Sequence, residues 1–349
     1  MITWTAIMRK SWVQYAVIFG LTAIFLFFFF RGVNWREVIR YLGGVNVPLF
    51  ILSLLLVPLH LLTRSLRWRY LMVHEKPGVK LGNMFSANAV GFGVNFIFPG
   101  RIGEFVRPLY LAQKEQCRKG FTMGTIVVER MFDIFTMCFL LGVFLVAKPL
   151  YASFYQVSAE ARANLRLWGI VGLALASLIL ALSLALYFFR DRTLKVIGFF
   201  LRPLPHRFSG KILALFDDFI EGLRFFHDIK TLVYYTLSSC VVWLGIIFFY
   251  WVFFASFRIS LPYFLLFPYV FLTMVGASVP TPGMVGGFHY FSKLGLTQLY
   301  GVDPNLALGA TIVVHAIQIL MTALIAYVIV WKEGMSLFQL RRLGEDKQP

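Results

Sequence analysis

Glu129, Arg130 and Asp133 fall inside an apolar run that begins near residue 121, in the order Val-Val-Glu-Arg-Met-Phe-Asp. Each charge carried that deep into hydrocarbon costs up to about 2.5–3.5 kcal/mol, so three of them must face protein and not lipid. On a helix, Glu129 and Asp133 share a face. Upstream, Asn95 to Phe105 reads Asn-Phe-Ile-Phe-Pro-Gly-Arg-Ile-Gly-Glu-Phe, and Arg107 follows closely. Gly91, Gly93, Gly100 and Gly103 let the backbone turn and approach its neighbours, and Pro99 ends the incoming segment. A helix starting after such a turn presents unpaired amides, which attract anions.

Arg101 and Arg107 stand beside those amides. Guanidinium forks and backbone N–H groups together hold phosphate; alternatively, both arginines reach outward to lipid headgroups. Glu129 and Asp133 need cations, which Arg130, Arg101 or Arg107 supply, leaving Glu104 as a proton carrier. The same set also reads as an ion-pair network that fixes the turn, and the two readings are compatible. The expected binding residues are therefore Asn95, Arg101, Glu104, Arg107, Glu129, Arg130 and Asp133.

A membrane must position them. Of 349 residues, 59% are hydrophobic, 38 are Phe and only 14% are charged, with a mean hydropathy of +0.76. A soluble fold would leave too much apolar surface uncovered. Runs near or above the roughly 20 residues needed to cross about 30 Å of hydrocarbon predict an all-α integral membrane protein, a polytopic helix bundle and not a barrel. Six full spans are expected at about 12–30, 48–63, 121–147, 167–189, 231–256 and 306–331. Two segments, at about 82–98 and 262–281, are interrupted by Gly and Pro and read as re-entrant or broken helices. No small-residue cleavage site follows the first span, so it is expected to stay.

The formal charge of +17 gathers between the apolar segments. That placement fits loops held against anionic headgroups and argues against a nucleic-acid partner. Cys117, Cys138 and Cys240 lack paired or metal-ligand spacing, so neither a disulfide nor a metal site is expected, and no cofactor either. Arg64, Arg67, Arg69, Lys76 and Lys80 read as one cytoplasmic loop, and Arg101, Arg107, Lys114, Arg118 and Lys119 as another. The segment at 82–98 then enters from the cytoplasm and returns to it. The region 257–304 holds only Arg258, Lys293 and Asp303 as charges, so 262–281 dips in from outside. Both termini are expected in the cytoplasm, with a tail over 332–349.

Pro99-Gly100-Arg101-Ile102-Gly103-Glu104-Phe105 and Pro282-Gly283-Met284-Val285-Gly286-Gly287-Phe288 share the pattern PGxxGxF, and the two prolines stand 183 residues apart. The same shift carries 48 and 147 to 231 and 330, the bounds of independently drawn spans. Within a single membrane domain, 1–349, this predicts unit 1 at 48–147 and unit 2 at 231–331 in inverted topology, the arrangement whose paired broken helices hold transport sites near the midplane. Two unrelated kinks are the alternative. The connector, 148–230, is expected to hold one span and an amphipathic interfacial helix from His206 to Asp228. The second unit contributes Pro282, Gly283 and Gly286 in its turn, with His289, His315 and Gln318 as polar groups. His315 and Gln318 share a face, and such a histidine is either hydrogen-bonded or proton-coupled.

There is no GxxxxGK[ST], HExxH, GxSxG or dinucleotide fingerprint, so hydrolysis of ATP by this chain is not expected, and the preferred reading is a transporter and not an enzyme. NFIFPGRIGEFVRPLYL, then VVERMFDIF, then PTPGMVGGFHYF resembles the flippase-like membrane domain of bacterial lysylphosphatidylglycerol synthases, including stand-alone forms of about this length. The resemblance covers most of the chain. It implies a multi-pass protein of the inner membrane that moves an anionic or aminoacylated lipid between leaflets, with Arg101, Glu104, Arg107, Glu129, Arg130 and Asp133 at its polar centre. No aminoacyl-transfer domain fits after Val330, so synthase activity is not implied. Where the family has Pro-Gly-Gly and a Glu in the second motif, this chain has Met284 and His289. The expected activity is flipping of a phospholipid, an aminoacylated lipid or a polyisoprenyl-phosphate lipid. The alternatives are a lipid-modifying enzyme using Glu104 and Asp133 as acid and base, and an accessory partner of such an enzyme.

Overall fold

The computed structural model describes residues 34–73, 75–97, 101–147, 159–202, 206–221, 223, 228–279 and 281–333, with Gly20 and Phe27. The expected first span apart from Gly20 and Phe27, the Pro99-Gly100 corner and the tail beyond 333 lie outside the described residues. Among the described residues all regular structure is helical, as a membrane bundle requires. The helices are α1 (Trp35–Gly43), α2 (Val47–Met72), α3 (Leu81–Ile97), α4 (Gly103–Glu115), α5 (Lys119–Val146), α6 (Ala159–Phe188), α7 (Arg190–Phe200), α8 (His206–Glu221), α9 (Ile229–Ser256), α10 (Leu266–Ser278), α11 (Gly287–Leu294) and α12 (Pro304–Lys332).

The long helices begin on local signals. Asn46 accepts from the Leu49 amide at the start of α2, Asp228 from the Lys230 amide before α9, and Asp303 from the Asn305 and Leu306 amides before α12. Pro48 and Pro304 occupy first-turn positions where no donor is needed. By length and hydropathy, α2, α9 and α12 can each cross a membrane. At 28 residues α5 is as long, but it carries Glu129, Arg130 and Asp133; α6 has 30 residues. Leu55, Leu59, Val241, Leu320 and Leu324 are exposed along these helices, which suits a lipid-facing surface.

Between the long helices stand two helical hairpins. α3 packs on α4 and α10 packs on α11, and both pairs cross where glycines meet. A Cβ on Gly103 would overlap the carbonyl oxygen of Gly91, and one on Gly287 would overlap that of Gly276. Only glycine allows so close a backbone approach. The hairpin tips also meet, since a Cβ on Gly283 would come within 3.2 Å of the Phe96 carbonyl oxygen. The order α2, α3, α4, α5 therefore recurs as α9, α10, α11, α12, with starts that a shift of 183 residues nearly superimposes. α2 packs along α9, α3 against α12, and α10 against α5, so each half of the chain is built into the other.

Two expectations are corrected. The span drawn at 48–63 runs on to Met72, so Arg64 and Arg67 belong to a helix and are buried, not part of a solvated loop. The connector holds α7 in addition to α6 and α8, a helix too charged for an apolar search to find.

Candidate functional site

Glu129 is fully buried and gathers four guanidinium groups. Arg107 on α4 grips it with both prongs, Nη1 at 2.9 Å from Oε1 and Nη2 at 2.5 Å from Oε2. From α2, Arg67 Nη2 lies 3.1 Å and Arg64 Nη1 3.5 Å from Oε1. Arg130 reaches the same oxygen at 2.7 Å. Asp133, one turn on, accepts from Arg67 at 2.6 Å and from the Trp243 indole of α9 at 3.0 Å, and sits 3.3 Å from Arg130. Arg130 Nε also faces Glu104 at 3.6 Å.

Aromatic rings wall the cluster. The Arg107 guanidinium lies 4.2 Å from the centre of the Trp68 ring, Arg64 lies 5.1 Å from Phe92, and Arg67 lies 5.6 Å from Tyr235. Such stacking compensates part of the desolvation cost of a buried guanidinium. The charges still do not cancel. Arg64, Arg67, Arg107 and Arg130 face three carboxylates, Glu104, Glu129 and Asp133. Arg101 lies close enough to feel Glu104 and Arg130, yet it has no hydrogen bond or ion pair among the described residues. Among the described residues the site is therefore cationic, and Arg130 keeps about a third of its side chain exposed.

Six of the seven expected first-unit residues are placed at or beside this cluster. Asn95 belongs to the hairpin instead: its Oδ1 is buried without a hydrogen bond among the described residues and abuts Gly103. Of the cations expected to serve Glu129 and Asp133, Arg101 pairs with neither; Arg107 and Arg67 take those places. Two essential members, Arg64 and Arg67, lie where the apolar pattern predicts a loop. The signal for them is the spacing of His60, Arg64 and Arg67, which puts all three on one side of a helix.

The second-unit residues form a separate polar group. Gly286 donates its amide to His289 Nδ1 at 3.3 Å, and His289 Nε2 lies 3.3 Å from His315 Nδ1. Phe288 stacks on His315 with ring centres 4.6 Å apart. Gln318 does not join His315, despite the shared side expected of them; it donates to the Tyr250 hydroxyl at 3.2 Å. Gly283 carries φ +58° in the short turn Pro282–Met284. Between the ion cluster and this group is a cavity of about 210 Å³. α2 lines it with His60 and Arg64, α3 with Phe92 and Phe96, α9 with Ile246 and Phe249, and the second half with Met284, Gln318 and Thr322.

Residues 11–326 match the family described as the lysylphosphatidylglycerol synthase TM region. The UPF0104 membrane protein MJ1595 of Methanocaldococcus jannaschii is 24% identical over 215 residues, a match that takes in 60% of this chain and 61% of that protein. The chain thus spans about three fifths of the length of this curated relative. No solved structure matches.

Proposed function

The chain belongs to the family of the lysylphosphatidylglycerol synthase transmembrane region, and from that premise we propose that it moves a lipid with a phosphate-bearing headgroup between membrane leaflets. The observation that supports this best is the uncompensated positive charge of a buried cluster whose Arg64 also lines a cavity between the two halves of the chain. An oxyanion is what such a site lacks. In this reading Arg101 and Arg130 make first contact with the headgroup, the cavity receives it, and the tails stay in the bilayer. Glu104, Glu129, Asp133 and His289 balance charge or carry protons.

The two hairpins act as inverted units, the first opening to the cytoplasm and the second to the outside, in an inner membrane with both termini cytoplasmic. Transport between leaflets requires access from both sides in turn, and hairpin tips that touch at Phe96 and Gly283 are suited to alternate. Acid–base catalysis by Glu104 and Asp133 has less support, because both lie against Arg130 as fixed counter-charges. The test is leaflet exchange of fluorescent lipids in proteoliposomes. Acceleration over empty vesicles is expected for an anionic lipid, and none for any lipid would defeat the proposal.

A further inference from the structure

The lining of the cavity bears on which headgroup it accepts. Arg64 Nε donates to His60 Nε2 at 3.0 Å. That bond makes Nε2 an acceptor, so in the neutral ring the proton is on Nδ1. Among the described residues His60 Nδ1 has no hydrogen-bond partner and is shielded from solvent, while Arg64 Nη1 has only the shared Glu129 Oε1, at 3.5 Å. Arg64 is buried, with only 8% of its side chain exposed. The cavity wall therefore carries one unmatched N–H donor, on His60, one turn of α2 from the Arg64 guanidinium. Burying such a donor unmatched is unfavourable, and an oxyanion in the cavity would supply the missing acceptor.

Among the described residues the lining holds no carboxylate. Gln318, whose amide nitrogen is committed to Tyr250, and Thr322 offer only neutral oxygen. An ammonium placed there would lie beside Arg64 with no carboxylate in the lining to pair with it, at a cost that a low-dielectric wall of Phe92, Phe96 and Phe249 magnifies. At about 210 Å³ the cavity is also smaller than the roughly 300–1,000 Å³ that holds a drug-sized ligand. It fits a headgroup and not a whole lipid.

Resting on the transport reading above, we propose that the His60–Arg64 cavity selects the phosphate of a lipid headgroup that carries no ammonium, and so disfavours aminoacylated lipids. Native mass spectrometry of the full-length protein tests this by competing phosphatidylglycerol against lysylphosphatidylglycerol, with inorganic phosphate in a parallel arm. Wild type is expected to retain phosphatidylglycerol at least fivefold over its lysyl ester. Gln318→Glu, which adds a carboxylate to the lining without touching the ion cluster, is expected to narrow or reverse that ratio, and Arg64→Gln to weaken retention of phosphatidylglycerol. Equal or better retention of the lysyl ester by wild type overturns the proposal. Displacement of lipid by millimolar phosphate also overturns it, by showing a free-anion site. The same two lipids in the exchange assay separate the readings. Equal exchange of both sinks the selectivity alone, whereas no exchange with the binding preference intact sinks transport alone.

Discussion

Arg101 and Met284, 183 residues apart at the tips of the two hairpins, both hold a left-handed backbone, with φ of 57° and 58°. Neither is a glycine, and each such residue stores about 1 kcal/mol or more of backbone strain. The shared conformation follows from the shared corner: a chain leaving α3 or α10 must reverse within a few residues to pack back on its own hairpin. Their side chains differ in what they bring. Arg101 carries a charge without an ion-pair partner among the described residues, and Met284 contributes apolar lining to the cavity.

Arg101→Gly separates shape from charge. Glycine relieves the strain at φ 57°, so the variant is expected to unfold at the same temperature as wild type or slightly above, a gain of up to about 1 kcal/mol. Exchange of an anionic lipid is expected to fall about tenfold, the effect of about 1.4 kcal/mol lost from headgroup capture. Thermal unfolding in detergent beside the exchange assay checks both. A fall in stability with exchange unchanged would assign Arg101 a structural role.

Glu129→Gln should be among the most destabilising single changes in the chain. It removes the carboxylate shared by Arg64, Arg67, Arg107 and Arg130 and leaves buried cations facing one another. Breaking a buried pair costs about 3–5 kcal/mol. Arg107→Lys keeps the charge but loses the two-pronged grip and the Trp68 contact, so its cost is expected to be smaller. A ranking of unfolding midpoints with wild type highest, then Arg107→Lys, then Glu129→Gln, is the expected result.

Glycines divide by what surrounds them. Gly103→Ala and Gly287→Ala push a methyl into the facing carbonyls of Gly91 and Gly276; each is expected to destabilise by about 1–3 kcal/mol or to prevent a monodisperse preparation. At Gly142 on α5, a methyl would meet nothing within 4 Å. There alanine raises helix propensity and is expected to stabilise by up to about 1 kcal/mol. Size-exclusion profiles and unfolding midpoints of the three variants decide it.

The hairpins were legible because Pro and Gly punctuate apolar segments, and the long helices because their apolar runs are long enough to cross a membrane; the caps at Asn46, Asp228 and Asp303 are signals that the apolar pattern alone does not use. Glu129, Arg130 and Asp133 stood out for the opposite reason, as charges where hydrocarbon was expected. Arg64 and Arg67 were misplaced by the same logic. The apolar run ends at its first charge, Arg64, so a span bounded by hydropathy stops at 63 and two buried arginines fall in the loop beyond it. Helical spacing from His60 would have kept them. His315 and Gln318 show a second limit: three residues apart on a helix still leaves about 60° between side chains, enough to send one to His289 and the other to Tyr250. Which residues meet across elements depends on packing that no single helix encodes.

Cys117, in the connection between α4 and α5, reports the side of the membrane on which the first hairpin opens. It is half-buried, and its Sγ lies 3.7 Å from the Glu115 carbonyl oxygen. Burial, with the nearby Glu75 carboxylate, pushes its thiol pKa up. A raised pKa leaves less thiolate at any pH below it, and the thiolate is the species that reacts. In a Cys138→Ala, Cys240→Ala background, a membrane-impermeant maleimide is expected to label Cys117 only from the cytoplasmic side. The labelling rate should still be climbing with pH where an ordinary thiol, with pKa about 8.5, begins to level off. Labelling from the outside alone would turn the first hairpin over, and with it the direction assigned to the cationic site. A rate that levels off with an ordinary thiol would instead place Cys117 in open solvent, away from Glu75.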